Sequence, residues 1–130
     1  MKKRSAQECI NGIVQNIEKR RNMQPIDYSD RNAVRRYNAA MDRIIENVDY
    51  LSEHYPEDID LLVNLANSPD CAIAVCCAHL LYNAKNSTNE HRHIALSVLK
   101  RLVNHPDVPE LTRYGISINI KQWETDLAAR

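Results

Sequence analysis

One phrase occurs twice in this chain, as Leu65-Ala66-Asn67-Ser68-Pro69-Asp70 and again as Leu102-Val103-Asn104-His105-Pro106-Asp107. The copies are 37 residues apart, and Leu62 and Leu99 repeat at the same offset. Asn can end a helix because it tolerates the left-handed conformation. Ser is a good N-cap, Pro fits the first helical position, and Asp in the first turn meets the positive end of the helix dipole. Each copy therefore predicts a helix, a tight turn and a second helix.

A repeat of this length is typical of stacked helix pairs, the solenoid architecture that presents a binding surface to a partner. In this interpretation His105 is a weaker N-cap than its counterpart Ser68. The repeat favours a binding function and does not predict a catalytic pocket.

Length and composition favour one soluble all-α domain. The 130 residues include only two Gly and no Phe, which leaves little room for nucleotide-binding loops or a β-rich fold. We expect a single domain over residues 1–130, with two helices in residues 1–56 and two helix pairs in residues 57–130. No apolar run approaches the roughly 18 residues of a spanning helix, and no signal peptide is evident. We therefore expect a cytoplasmic protein with no membrane partner.

Four cysteines lie at positions 9, 71, 76 and 77, without a Cys-x-x-Cys pair. This spacing suits neither a disulfide framework nor a four-ligand zinc site. Free Cys is among the residue types most often buried, so we expect reduced thiols that pack as small apolar side chains. We expect no metal and no cofactor.

Hydrophobic periodicity predicts six helices. The first covers residues 5–21 and opens with a capping box of Ser5 and Glu8. The second covers residues 31–54, and its expected core face includes Tyr37 and Ile45. The predicted core face of this helix is Val34, Tyr37, Met41, Ile44, Ile45, Val48 and Leu51.

The third helix is predicted at residues 57–66. The fourth follows the first copy of the repeated turn and ends at residue 83. It is apolar nearly all round, so it should be central. A capping box of Ser87 and Glu90 opens the fifth. The last begins at Pro109 and should bury Leu111. Gly115 is unfavourable inside this helix, and a close helix crossing would explain it.

The region between Tyr37 and Trp123 resembles a family of small bacterial HEAT-like (armadillo-related) proteins classed as a domain of unknown function. The matching features are Tyr37-Asn38 with Met41-Asp42, the leucine helix and Pro-Asp turn at residues 61–70, Ala78-His79-Leu80-Leu81, and Ile120 three residues before Trp123. The chain departs from the family at Ala74 and Cys76, where an Arg and a Trp are frequent.

This resemblance implies a compact HEAT-like stack of about six helices, with two HEAT-like pairs in residues 57–130. Members of such families are similar to immunity proteins encoded beside secreted toxins. The resemblance therefore implies a non-enzymatic protein that binds and neutralises a cognate bacterial toxin.

Charge is distributed unevenly, although the chain is neutral overall. Residues 1–36 hold nine Lys or Arg against four Asp or Glu, a net of +5. Residues 37–70 hold one against eight, a net of −7, and residues 71–130 hold seven against five, a net of +2. This uneven distribution of charge indicates which kinds of partner the surface could bind.

Four carboxylates on the second helix, spaced 4, 3 and 4 residues apart, share one face; we call Asp42, Glu46, Asp49 and Glu53 the acidic row. Like charges at i,i+4 destabilise a helix slightly, so the row has a cost without a folding benefit. One interpretation is a surface that steers and docks a basic partner. The other is a solvated face partly neutralised by Arg43 and by neighbouring helices.

Tyr50 and Tyr55 lie near the acidic row and are candidate anchors, since Tyr offers apolar area with a polar tip and is enriched at interfaces. Tyr37 is expected to be structural. The predicted partner-binding residues are Asp42, Glu46, Asp49, Tyr50, Glu53, Tyr55, Glu57, Asp58 and Asp60.

Cys76 and His79 could form a nucleophile pair or contribute two metal ligands, but a metal site needs three or four and no third catalytic group is evident. His79 is better explained as a hydrogen-bonded core residue. His91 and His93 do not share a helix face.

The basic residues near the N-terminus make nucleic acid the alternative partner. They are Lys2, Lys3, Arg4, Lys19, Arg20, Arg21, Arg31, Arg35 and Arg36. The acidic middle of the chain would repel phosphates, so a basic protein, such as a nuclease toxin, is the favoured partner. A small enzyme and a general scaffold are the remaining alternatives.

Overall fold

The computed structural model describes residues 3–130, so Lys2 lies outside the described part of the chain. Within that range there are six α-helices, one short 3₁₀ helix and no β-strand, which confirms the all-α prediction. The helices are α1 (Ala6–Asn22), α2 (Arg31–His54), α3 (Asp60–Ala66), α4 (Cys71–Asn83), α5 (Asn89–Leu102) and α6 (Glu110–Ala129). The 3₁₀ helix is Pro56–Asp58.

The chain forms two compact units, one ending at Asp58 and one covering Ile59–Arg130. The first unit contains α1 and α2, which pack against each other, and the 3₁₀ helix. In the second unit α3 and α5 both pack against α4, and α6 packs against α5.

Helix α1 begins as the sequence predicts. The Ser5 side chain accepts a hydrogen bond from the Glu8 N–H at 3.0 Å, and the Glu8 carboxylate accepts one from the Ser5 N–H at 3.3 Å. This capping box satisfies two backbone donors that would otherwise have no partner in the helix. The buried face of α1 comprises Cys9, Ile10, Ile13, Asn16 and Ile17.

Helix α2 has the predicted bounds, and Asp30 caps it by accepting from the N–H groups of Asn32 and Ala33. Ile44, Val48 and Leu51 are buried as expected. Ile45 is 44% exposed, so its assignment to the core face was wrong. A helix turns 100° per residue, and Ile45 follows the buried Ile44 on a part of the surface beyond the apolar stripe.

The repeated phrase forms the same two hydrogen bonds twice. In each copy the N–H of the fourth residue donates to the C=O of the first, at 3.1 Å and 3.0 Å. The N–H of the sixth residue donates to the side chain of the fourth, Ser68 Oγ in one copy and His105 Nδ1 in the other, at 3.1 Å in both. Ser and His are therefore equivalent at this position because each supplies an acceptor to the turn.

The predicted capping roles within the phrase were wrong in detail. Helix α4 begins at Cys71, and its N-cap is Asp70, whose carboxylate accepts from two helix N–H groups. Ser68 is not the N-cap, since its oxygen is used within the turn. Asn67 does end α3, but its φ is −99°, so it does not adopt the left-handed conformation.

Helix α4 is the most apolar element, and most of it is buried. Its buried residues are Ile73, Ala74, Cys77, Ala78, Leu80, Leu81 and Tyr82. Ala72, near the start of the helix, is exposed. The thiols of Cys9 and Cys77 are buried as expected, whereas Cys71 and Cys76 are half-buried; all four are free.

Helix α5 is capped one residue later than predicted. Thr88 is the N-cap and His91 the third residue of the capping box, in place of Ser87 and Glu90. The Ser87 hydroxyl is buried and donates instead to the C=O of Leu81. A buried hydroxyl must find a partner, and this requirement removes Ser87 from the helix start.

Helix α6 buries only Ile116 and Trp123. The Trp123 ring stacks on Tyr82 of α4 at a centroid distance of 4.0 Å, and the Tyr82 hydroxyl donates to the Asp126 carboxylate. Leu111 is 84% exposed, so its predicted burial was wrong. No atom lies within 4 Å of a Cβ built on Gly115, so a close helix crossing does not explain this glycine.

Gly115→Ala is expected to stabilise the protein by about 1 kcal/mol, because Ala is the better helix former and its methyl group meets no atom. Gly12→Ala, the matched control on α1, should destabilise by about 1–3 kcal/mol, since its Cβ would lie 2.6 Å from Asn47 Nδ2. Urea unfolding measures both changes. Equal effects of the two substitutions would contradict this account of the glycines.

Asp126 should make the free energy of unfolding depend on pH in the acid range. Hydrogen bonds from Tyr82 and then from Arg130 lower the pKa of the Asp126 carboxyl. A lowered folded-state pKa contributes stability above the ordinary carboxyl pKa, and this contribution is lost as the pH falls through the lowered value. Asp126→Asn should therefore destabilise more at pH 7 than at about pH 3, in urea unfolding at the two pH values. The same loss at both would contradict the assignment.

Candidate partner-binding surface

The acidic row lies along one side of α2, as the helix spacing requires. Asp42, Glu46 and Glu53 are exposed and Asp49 is half-buried. At 1.5 Å per residue the row extends over about 16 Å of the helix axis. The negative end of the α2 dipole adds to the carboxylate charge at Asp49 and Glu53, which stand nearest the C-terminus of the helix.

The other predicted acidic residues divide between the two units. Glu57 and Asp58 form part of the 3₁₀ helix that follows α2 in the first unit. Asp60 is the first residue of α3 in the second unit, and its carboxylate lies 3.3 Å from His91 Nε2. Asp60 therefore has a local role as a partner of His91, whereas the acidic row, Glu57 and Asp58 belong to one body.

Tyr50 and Tyr55 hold the segment that precedes α1. The Tyr50 hydroxyl accepts from the Arg4 N–H at 3.2 Å, and the Tyr55 hydroxyl donates to the Arg4 C=O at 2.7 Å. The Tyr50 ring lies 5.5 Å from the Arg4 guanidinium carbon and 4.1 Å from the His54 ring centroid. Desolvation raises the pKa of the Tyr55 hydroxyl, which keeps it a donor. Both proposed anchors thus have structural contacts as well as half-exposed surface.

A polar hollow lies beside the acidic row between α1 and α2. It is lined by Arg4, Glu8, Asn16, Arg43, Glu46 and Asn47, and encloses about 280 Å³. Arg4 donates to Asn47 Oδ1 at 3.2 Å. The two arginines place positive charge around Glu46, so net negative charge is concentrated towards Asp49, Glu53 and the 3₁₀ helix.

Part of the basic N-terminal segment is engaged within the first unit. The guanidinium of Arg20 lies 3.9 Å from the Tyr37 ring centroid, and one of its nitrogens donates to Met41 Sδ at 3.3 Å. This contact explains why Tyr37 is half-buried and structural. Arg20 is therefore poorly placed to contact a phosphate group.

His79 is a hydrogen-bonded structural residue, as predicted. Its Nδ1 donates to the C=O of Val75 at 2.8 Å, which leaves Nε2 to accept from the Asn119 amide at 2.7 Å. Trp123 packs edge-on against the ring at a centroid distance of 5.3 Å. Both ring nitrogens of His79 are thus occupied, which disfavours a base or ligand role.

A second cluster joins residues that the sequence reasoning did not bring together. Cys71, His105 and Asp107 each offer one ligand atom, and these atoms all lie within 4.8 Å of one another. The repeat contained a signal for this cluster. Residues 105 and 107 occupy the fourth and sixth positions of the second copy, and Cys71 directly follows the sixth position of the first. Pairing of equivalent turns in a helical repeat would have suggested the contact.

Comparison with known proteins adds no family assignment. No protein-family model matches the chain, and neither a curated protein nor a solved structure matches it. Within residues 3–130, none of the helices combines the length and the apolar character needed to cross a bilayer. The functional proposal therefore depends on the surface itself.

Tyr55→Phe should lower the free energy of unfolding by about 0.5–1.5 kcal/mol, because it removes the donor to the Arg4 C=O. Tyr28→Phe is the matched control, since Tyr28 is 79% exposed and should tolerate the change. Thermal or urea unfolding of both variants is the measurement. An unchanged stability of Tyr55→Phe would contradict the role of Tyr55 in holding the N-terminal segment.

Proposed function

We propose that this protein is a non-enzymatic protein-binding module that docks a basic protein partner through α2 and the 3₁₀ helix. The observation that carries the proposal is the acidic row, four carboxylates along one side of a helix of 24 residues. Exposed negative charge of this density attracts a positively charged partner and accelerates the encounter.

The energetics of α2 support a binding role. Carboxylates four residues apart repel each other, and those near the C-terminus of a helix also oppose its dipole. Each effect costs a few tenths of a kcal/mol. A binding role would account for a row that carries this cost.

We further propose that the partner is a bacterial toxin, such as a nuclease, and that the protein is its immunity protein, acting in the cytoplasm. A nuclease presents a basic groove to its substrate, and an acidic surface can cover such a groove by charge complementarity. The resemblance to HEAT-like families similar to immunity proteins supports this choice, as does the repeated turn of the second unit. Residues 57–130 would then be two HEAT-like helix pairs.

Two structural details weaken the alternatives. Arg20, part of the basic surface that nucleic-acid binding would require, packs on the Tyr37 ring and donates to Met41 Sδ. His79, the base that the sequence suggested beside Cys76, has both ring nitrogens in hydrogen bonds. Protein binding through the acidic surface remains the function best supported by the geometry.

The direct test captures partners from native cells with three versions of the protein. They are the wild type, the acidic-row variant D42N/E46Q/D49N/E53Q, and a control variant E18Q/E90Q/E110Q/E124Q with the same change in net charge. The wild type and the control should recover one basic protein in stoichiometric amount. The acidic-row variant should bind this protein at least about tenfold more slowly at low salt, measured by stopped flow.

The control separates a local surface from overall charge. Equal slowing by both variants would mean that net charge alone drives association. A wild-type association rate for the acidic-row variant, with helicity unchanged by circular dichroism, would place the docking surface elsewhere. Recovery of a basic protein that lacks toxic activity in cells would refute the immunity proposal while leaving the docking proposal in place.

A further inference from the structure

The two copies of the repeated turn meet at one point in the second unit. Cys71 is the first residue of α4, and His105 and Asp107 lie in the connection between α5 and α6. Cys71 Sγ lies 3.5 Å from His105 Nδ1, and His105 Nδ1 lies 4.0 Å from Asp107 Oδ2. A thiol, an imidazole and a carboxylate thus converge from positions more than 30 residues apart in the sequence.

Comparison of the two copies shows what is special about the second. In the first copy the carboxylate of Asp70 caps α4 by accepting from Ala72 and Ile73. In the second copy two residues, the buried Val108 and then Pro109, separate Asp107 from α6, which therefore begins without a side-chain cap. The Asp107 carboxylate is directed to solvent, 80% exposed, and is not used to cap a helix.

The fourth position of the phrase differs in a way that favours metal binding. Ser68 Oγ and His105 Nδ1 accept the same turn hydrogen bond. Only His offers at this position an acceptor that can also serve as a strong metal ligand. Because Nδ1 accepts the Asp107 N–H, it carries a lone pair, the form that a metal requires.

The separation of the Cys71 and His105 ligand atoms fits a tetrahedral zinc ion. With Zn–S of about 2.3 Å and Zn–N of about 2.0–2.1 Å, two tetrahedral ligands stand about 3.5 Å apart, the separation of Cys71 Sγ and His105 Nδ1. Asp107 can close the remaining distance by side-chain rotation, since its carboxylate is exposed.

We infer that Cys71 Sγ, His105 Nδ1 and the Asp107 carboxylate bind one Zn²⁺ ion, with a fourth coordination position open to water. On binding, the Cys71 thiol releases its proton to solvent. The His105 Nδ1 lone pair then binds the metal in place of the Asp107 N–H. The ion links the start of α4 to the α5–α6 connection. This site is independent of the acidic surface and of the function proposed for it.

The test uses the full-length, tag-free protein after removal of metals with a chelator. Co²⁺ is titrated first, because a thiolate ligand gives a charge-transfer absorption that water and carboxylate ligands do not. One equivalent should develop this absorption, and Zn²⁺ should abolish it by displacement. Isothermal titration with Zn²⁺ should then give a stoichiometry of one.

Variants assign the ligands. Cys71→Ser, His105→Ser and Asp107→Asn should each weaken Zn²⁺ binding at least about tenfold. His105→Ser introduces the residue of the first copy, which makes the same turn hydrogen bond, so the fold should be retained. Cys76→Ser and His93→Ser are the matched controls on α4 and α5 and should bind as the wild type does.

A second measurement needs no variant. One equivalent of Zn²⁺ should slow the alkylation of Cys71 by iodoacetamide at least about tenfold, followed by peptide mass spectrometry, with the rate at Cys76 unchanged. An absent charge-transfer absorption, an unchanged rate at Cys71, or loss of binding in Cys76→Ser alone would each overturn the zinc site.

Discussion

Helix α4 carries few polar side chains, so the second unit is organised around removing it from water. Helices α3 and α5 pack against it, and Trp123 of α6 stacks on Tyr82. Fully burying a Leu or Ile side chain contributes about 1.5–3 kcal/mol, so burial of this helix contributes strongly to the stability of the unit. The polar groups that it buries need partners, and His79 and Tyr82 obtain them from α6 through Asn119 and Asp126. The polar side chains of His79 and Tyr82 therefore have structural partners.

The sequence predicted the elements well because their signals are local. The bounds of α2 and the capping box of Ser5 and Glu8 agree with the prediction. The wrong predictions concern residues that could take either of two local roles, where packing against other helices decides which role is taken. Ser87 and Glu90 form a plausible capping box, but burial of the Ser87 hydroxyl draws it to the C=O of Leu81. The exposure of Leu111 similarly depends on where neighbouring helices lie, which the periodicity of one helix does not contain.

The candidate surface was partly predictable for the same reason. Spacing along α2 places the acidic row on one side without any tertiary information. The roles of Tyr50 and Tyr55 in holding Arg4 depend on contacts between residues about 50 positions apart, which spacing cannot supply. The cluster of Cys71, His105 and Asp107 was intermediate in how far the sequence could predict it, since the repeat visible in the sequence also brings its turns together. Burial explains the apolar sequence of α4, whereas we propose that the charge along α2 serves a partner.

The central claim is that this charge docks a basic protein. The most direct measurement is affinity capture of the protein from its native cells at low and at high salt, with nuclease treatment of the lysate and mass spectrometry of what is bound. Electrostatic docking predicts one stoichiometric basic protein that resists nuclease treatment and is lost at high salt. Recovery of nucleic acid, or of a partner whose binding is indifferent to salt, would contradict the account.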